Sequence, residues 1–296
     1  MTEFLQLVVD GLITGSIFAL AGIGVSLPYA ILRVVNFAQG EYVTYGAYCA
    51  VLVNIVWGGN IALATIAAIA GVALLSVFLE FSFWRPMRNR RAGHFTMLLA
   101  SFGLSLVMRG VLFVIGSSNP RTYRVNVFQV YDIGGIRLSK SELIAVILGF
   151  VAITLIGLLF AKTHTGRTMR ALADDRSLAA VAGVNTDRLV VITWIVTGVL
   201  AGLAGVLQGL LQNSFDPNMG GDLLLPVFAA VILGGVGSAY GALAGGLLIG
   251  VAMQLSTWSV LWGGLSPIWQ QVVAFAALVI ALLVRPQGLL GQARLT

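Results

Sequence analysis

Charge is what this chain has least of. Of its 296 residues only 9% are Asp, Glu, Lys or Arg, while 58% are hydrophobic; a typical soluble domain is nearer ~25% charged and ~45–50% apolar. Mean hydropathy is +0.97. A chain so short of charge cannot cover its own apolar surface in water, which excludes a soluble enzyme, a nucleic-acid module and a disordered protein. Lysine is almost missing, with only Lys140 and Lys162 beside 15 arginines. No G-x-x-x-x-G-K-[ST] stretch occurs, so the chain is not itself a P-loop ATPase. The single Cys49 excludes an intrachain disulfide. His94 and His164 each stand alone and Cys49 has no partner, so no metal site is suggested. No nucleophile–base pattern is legible, which leaves a membrane-embedded enzyme a poor reading.

What is present is a succession of apolar runs. At ~20 residues per crossing, the length allows about eight or nine spans, an all-α polytopic transmembrane bundle forming one permease-sized domain over 1–296. The runs fall at about Leu5–Leu27, Tyr42–Trp57, Ile61–Trp84, Phe95–Ile115, Glu142–Ala161, Leu189–Leu211, Ala239–Trp258 and Ile268–Val284. The stretch Leu223–Leu233 is too short to cross alone and predicts a half-helix hairpin or a short span. Met1–Glu3 lack a basic stretch, so the first run is expected to be retained rather than cleaved as a signal peptide. The net charge of +6 is expected of loops beside anionic lipid. Four arginines in the 85–94 loop, five basic residues in 162–188, and Arg285 and Arg294 place those segments on the cytoplasmic side and the N-terminus outside. Arg121, Arg124, Arg137 and Lys140 in the 117–141 connection count against that assignment. Tyr42, Trp84, Trp258 and Trp262 near span ends read as interface anchors.

Glycine is the second signal, at 36 residues. Small residues four apart recur at Gly11/Gly15, Gly198/Gly202, Gly205/Gly209, Gly237/Gly241/Gly245 and Gly246/Gly250, the spacing that lets membrane helices approach backbone to backbone. An internal echo relates Thr14–Gly24 to Thr197–Leu207 at an offset of 183 residues, each followed by a break containing Asn and Gly. If the two spans run oppositely, this is an inverted repeat; chance similarity between Gly/Ala/Leu-rich helices is the competing explanation.

Two kinds of segment stand out for function. The 162–188 stretch is too polar to cross, and predicts a helix over about Arg167–Ala182, capped by Thr165 and ended by Gly183. Met169, Leu172, Ala173, Ala179 and Ala180 give it a stripe of mostly small apolar side chains beside Arg167, Arg170, Asp174, Asp175 and Arg176. That stripe suits docking into a partner's groove better than lying on headgroups, which favours bulky residues. The breaks at Asn36–Glu41 and Gln212–Asp222 are candidates for the substrate path, because broken helices expose backbone groups within the membrane. There Asn36, Gln39, Glu41, Asn213 and Asn218 offer polar side chains, although caps and turns explain each as well. Arg109, inside the fourth run, needs an acid partner, water, a snorkelling route or a substrate carboxylate.

Arg33-Val-Val-Asn-Phe-Ala-Gln-Gly-Glu41, Gly166-Arg-Thr-Met-Arg-Ala-Leu-Ala-Asp-Asp175 continuing to Asn185, Phe228-Ala-Ala-Val-Ile-Leu-Gly-Gly-Val-Gly-Ser238 and Arg285-Pro-Gln-Gly-Leu289 together resemble the LivH-type permeases of branched-chain amino-acid ABC importers. Gln39 stands where the family commonly has His. The resemblance implies an ABC importer permease for leucine, isoleucine and valine in a bacterial or archaeal inner membrane. It also implies that 162–188 is the coupling segment, with Arg167, Met169, Arg170, Leu172, Asp174, Asp175, Gly183 and Asn185 meeting an ATPase. The implied partners are a LivM-like permease, two ATPase subunits that bind the ATP and Mg, and a periplasmic or lipid-anchored solute-binding protein. No cofactor is implied for this chain. Same-fold importers of urea, short amides or other amino acids remain open, as does a secondary transporter or channel.

Overall fold

Inside a bilayer no water satisfies the backbone, so an apolar chain must close its hydrogen bonds within each segment. The computed structural model does this with helices, and it describes residues 2–116, 118–125, 130–133, 136–174, 176–212, 214–258, 266, 269–284 and 288–290. The helices are α1 (Thr2–Leu32), α2 (Gln39–Val51, prolonged by a π-helical turn to Val56), α3 (Ile61–Leu79, prolonged by a π-helical turn Glu80–Trp84), α4 (Arg85–Asn89), α5 (His94–Gly116), α6 (Lys140–Lys162), α7 (His164–Asp174), α8 (Arg176–Val181), α9 (Thr186–Gln212), α10 (Met219–Gly234), α11 (Ala239–Leu255) and α12 (Gln270–Val284). Five apolar segments are long enough to cross: α1, α3 continuing through α4, α5, α6 and α9; α10, α11 and α12 are shorter apolar helices. Within the 117–141 connection, expected as a polar loop, Val130–Ile133 (β1) pairs antiparallel with Ile136–Ser139 (β2). Ser139 then caps α6 in a reciprocal capping box with Glu142.

α1 and α9 form the centre: 72% and 78% of their apolar windows are buried, against 22–28% for α3, α5 and α6, which present large apolar side chains outward. The bundle has two ends about 46 Å apart, the length of the 31-residue α1. At one end Gln6 bonds Arg137, and the Arg124 amide donates to Asn54. At the other, Arg33 donates to the Ala173 carbonyl, Arg85 meets Asp187, and the amide of Leu289 donates to the Leu233 carbonyl. The 85–93 loop, α7 and residues 288–290 therefore share one end, while Arg121, Arg124 and Arg137 lie at the other. Arg285 and Arg294 fall outside the described residues.

The packing obeys a two-fold rule. Gly11 and Gly15 of α1 abut Gly250, Val251 and Leu247 of α11; Gly198 and Gly202 of α9 abut Val72, Ala73 and Ala68 of α3. Gly22 meets Val231 of α10, and Gly205 meets Val43 of α2. Gly15/Gly198 and Gly22/Gly205 are each 183 residues apart, the offset of the sequence echo. α1 runs from the Gln6 end to the Arg33 end, whereas α9 runs from Asp187 at the Arg33 end back towards Phe215, which pairs with Arg121. Helices α1–α3 and α5 thus correspond to α9–α12 in opposite direction, and the repeat is inverted.

α10 runs from its crossing with Gly40, in the interior, to the Arg33 end, where the Gly237 amide donates to Ser26 Oγ. α11 returns beside α1, so α10 is a half-helix that starts in the interior, turns at 235–238 and is followed by α11 running back. The anchor reading fails for two residues. Tyr42 and Trp84 are 0% and 1% exposed, and Trp84 stacks on the buried Trp194 at 5.3 Å. The π-helical turn at 80–84 shifts the phase of the helix end, and Trp84 points into the core.

A Gly246→Leu variant should be strongly destabilised, because any Cβ there meets the Ala19 backbone; overpacking of this kind costs ~1–3 kcal/mol or more. Gly103→Ala, with open space around it, should be neutral or gain up to ~1 kcal/mol from helix propensity. Thermal denaturation of the purified protein in detergent distinguishes the two.

Candidate functional site

Both central helices end before an extended break, and both breaks fold alike. α1 closes on Arg33, in the left-handed conformation (φ 57°) with its amide bonded to the Tyr29 carbonyl at 2.9 Å. Asn36 Oδ1 then accepts from the Ala38 amide at 3.1 Å, and α2 starts at Gln39. In the second half Asp216 Oδ1 accepts from the Asn218 amide at 2.8 Å, and α10 starts at Met219. These Asx turns satisfy the local backbone before each helix begins. The two first turns cross where Gly40 and Gly220 lie backbone on backbone, each occupying the place of the other's missing side chain. The Phe37 amide donates to Ser101 Oγ, two turns into α5, so the first break enters the apolar region.

Two helix amino ends therefore point towards the interior of one bundle, each with a partial positive charge of about half a unit. Acidic residues accompany both: Glu41 in the first turn of α2 and Asp222 in the first turn of α10. Arg109 of α5 supplies the cation. Its Nε and Nη2 donate to Glu41 Oε1 at 3.0 and 2.6 Å, and Ser105 Oγ adds a bond of 3.2 Å. Glu41 is 1% exposed, while the Arg109 side chain keeps 28% of its surface open. Gly221 leaves room for the guanidinium, since a side chain there would strike it. Glu41 Oε2, the Asn36 side-chain nitrogen and both polar atoms of the Gln39 amide are buried without a hydrogen-bond partner among the described residues. Gln39 faces Gly24 of α1, on the other side of α2 from Glu41.

The structure thus brings Asn36, Gln39, Glu41 and Arg109 to one break, and sets Asn218 in the twin turn, where its side chain donates to Asp216 Oδ2 at 3.3 Å. Asn213 lies outside the described residues. Sequence reading missed Asp222 as a site residue. It also missed Ser101 and Ser105, although 101, 105 and 109 are spaced four apart and mark one polar stripe on an otherwise apolar helix.

The polar segment behaves differently from its expected form. Helix begins at His164, and Thr163 rather than Thr165 accepts the Gly166 amide, at 3.0 Å. Gly183 does end the segment, at φ 82°, with the Val184 amide bonded to the Ala179 carbonyl. Asn185 then caps α9 through the Arg188 amide. Met169, Leu172 and Ala179 are 2%, 1% and 5% exposed, so the apolar stripe packs on the chain's own bundle. Arg167, Arg170, Ala171, Leu178 and Val181 form the outward surface. Asp174 ends α7; Asp175 lies outside the described residues. Among the described residues no group of His, Cys, Asp and Glu could hold a metal.

An apolar bundle of inverted halves, broken at twin half-helices around an interior ion pair, defines a multi-pass membrane transport protein. Comparison with known proteins narrows the class. A family described as "Branched-chain amino acid transport system / permease component" matches residues 7–282, and the chain belongs to that family of ABC importer permeases. It is 30% identical to the high-affinity branched-chain amino acid transport system permease protein LivH of Salmonella typhimurium over 98% of this chain and 96% of the relative. To BraD of Pseudomonas aeruginosa, a permease protein of the same description, it is 28% identical over 98% and 96%. The solved structure of PsaBC from Streptococcus pneumoniae in complex with Fab shares the fold, with a TM-score of 0.52 at 13% identity over 96% of this chain and 92% of that one.

Removing one member of the buried pair should cost about 3–5 kcal/mol by stranding the other's charge. Arg109→Met and Glu41→Gln are each expected to lower the denaturation midpoint sharply, and the double variant to recover much of it without recovering transport. A double-mutant cycle on thermal stability measures the coupling; additive losses would show that the two groups do not interact.

Proposed function

We propose that this chain is the membrane permease of an ATP-driven importer of leucine, isoleucine and valine. The observation that carries the reading is the Glu41–Arg109 pair at the crossing of α2 and α10. A guanidinium left partly open among apolar helices cannot face acyl chains without heavy cost. Its open side needs water or another protein, and both are supplied where a second, LivM-like permease encloses an aqueous path against α5 and α10. In that path Glu41, Arg109, Gln39 and Asn36, with Asn213 and Asn218 at the twin break, offer the hydrogen bonds and charges that a zwitterion would leave behind in water. The amino-acid class comes from the named relatives.

The same reading gives α7 its task. Two ABC ATPase subunits, binding ATP and Mg, would grip the outward surface around Arg167 and Arg170. The buried Met169 and Leu172 fix that helix to the bundle, and the Arg33–Ala173 hydrogen bond, 3.3 Å long, ties it to the residue where α1 ends and the first break begins. A push on α7 then reaches Asn36, Gln39 and Glu41 through nine residues of chain, from Arg33 to Glu41. Asp174, Asp175, Gly183 and Asn185 complete the segment. The Arg-rich end is assigned to the cytoplasm of a bacterial or archaeal inner membrane, the C-terminus with it. A periplasmic or lipid-anchored binding protein delivers substrate to the other end.

Proteoliposomes holding the co-expressed complex and its binding protein should take up leucine only with ATP. Isoleucine and valine should compete, and urea and short amides should not. ATP-independent or ion-gradient-driven uptake, or purification of the intact protein with no ATPase subunit, overturns the reading. Arg170→Glu should leave ATPase activity in place while lowering uptake at least tenfold; unchanged uptake removes α7 from the coupling path.

A further inference from the structure

At the Arg33 end, away from the α2–α10 crossing, α3 and α4 meet the start of α9 around two adjoining cavities of about 340 and 250 Å³. Both are lined by Arg85, Arg88 and Asp187, and the smaller also by Phe81, Asn185 and Arg188. The charges are only partly used internally. Arg88 donates to Glu80 Oε2 at 2.9 Å, and a second bond joins the same two groups, so that Glu80, 1% exposed, is fully compensated. Arg85 meets Asp187 only at 3.7 Å, with both side chains well exposed. Three guanidiniums against two carboxylates leave one positive charge over, the complement of a phosphodiester.

The surroundings indicate what carries that phosphodiester. The Arg85 guanidinium sits 5.6 Å from the centroid of the Phe81 ring. Leu74, Phe78 and Phe81 are 72%, 64% and 48% exposed along α3, leading from the cavity towards the apolar middle of the bundle. A cationic recess opening onto a bare apolar track at a membrane boundary fits a ligand with an anionic head and acyl chains, and fits free phosphate or a soluble nucleotide less well. We propose that the recess formed by Arg85, Arg88 and Arg188 binds the headgroup of an anionic phospholipid, with the acyl chains along Leu74, Phe78 and Phe81. The site adjoins Asn185, the last residue before α9, so an occupied headgroup would brace the junction between the α7–α8 segment and the central helix. This inference requires only that the chain spans a membrane, and is independent of the transported solute.

The purified complex, delipidated and then titrated with phosphatidylglycerol or phosphatidylcholine, is read by native mass spectrometry for retained lipid. Phosphatidylglycerol should be retained and phosphatidylcholine should not. Arg85→Ala and Arg188→Ala should each weaken retention about fivefold, the factor expected of one lost cation near a charged surface. Asp187→Asn, which removes a competing carboxylate, should strengthen it, and this gain serves as the test should either arginine variant fail to insert. Arg124→Ala, at the opposite end, should change nothing. Equal retention of the two lipids, indifference to all three recess variants, or displacement of phosphatidylglycerol by millimolar inorganic phosphate would overturn the proposal, the last by showing an anion site without acyl recognition.

Discussion

The contact on which the rest of the structure depends is the backbone crossing of Gly40 and Gly220. Two helices can start side by side in the interior only if neither carries a side chain at the point of approach, and each glycine fills the space the other leaves. The crossing lies on the pseudo-two-fold axis, and the flanking contacts radiate from it in matched pairs: α1 on α11 as α9 on α3, Gly22 on α10 as Gly205 on α2. In lipid there is no hydrophobic force to hold helices together, so this close packing of small residues carries the association. The abundance of glycine, a penalty for helices in water, is here what allows the helices to meet.

A second constraint follows from the first. Half-helices that start inside a membrane bring unpaired amide groups and positive dipole ends with them. The chain meets this locally, with the Asx turns of Asn36 and Asp216, and electrostatically, with Glu41 and Asp222 in the first turns. Glu41 in turn requires Arg109, and Arg109 requires Ser101 and Ser105 to be small, so that α5 lies close. The polar stripe on α5 is thus the last consequence of a geometry that begins with two glycines.

Much of this was legible in the residues. Apolar runs fixed by composition became helices within a few residues of the expected ends, because in lipid nothing competes with helix formation. The 183-residue echo and the small-xxx-small spacings reported real contacts. What was illegible depended on phase and partner. Trp84 and Tyr42 looked like boundary residues by position, yet a π-helical turn and the neighbouring Trp194 draw them inside. Met169 and Leu172 looked like a face offered outward, because an apolar stripe does not say which of two surfaces it covers. The paired strands 130–133 and 136–139 carry too few alternating residues to be distinguished from loop, and no local signal separates Asp222, at the start of α10, from an ordinary first-turn acid.

The two halves are alike in packing and unlike in chemistry, and that difference bears on how such a bundle works. Inverted repeats let one scaffold adopt two mirror-related openings, because each half can take the role of the other. A polar centre copied in both halves would place two buried cations at the axis, whose mutual repulsion in a low-dielectric interior is costly. Here only α5 carries the arginine; its counterpart α12, Gln270–Val284, contains no charged residue at all. Likewise Gln39 begins α2 where Met219 begins α10. The symmetric contacts therefore join the two halves alike, while the buried ion pair belongs to one side only, on α5 and α2. Under the reading proposed above, a solute crossing once per cycle would meet a scaffold of two equivalent halves and a charge pair present in one of them.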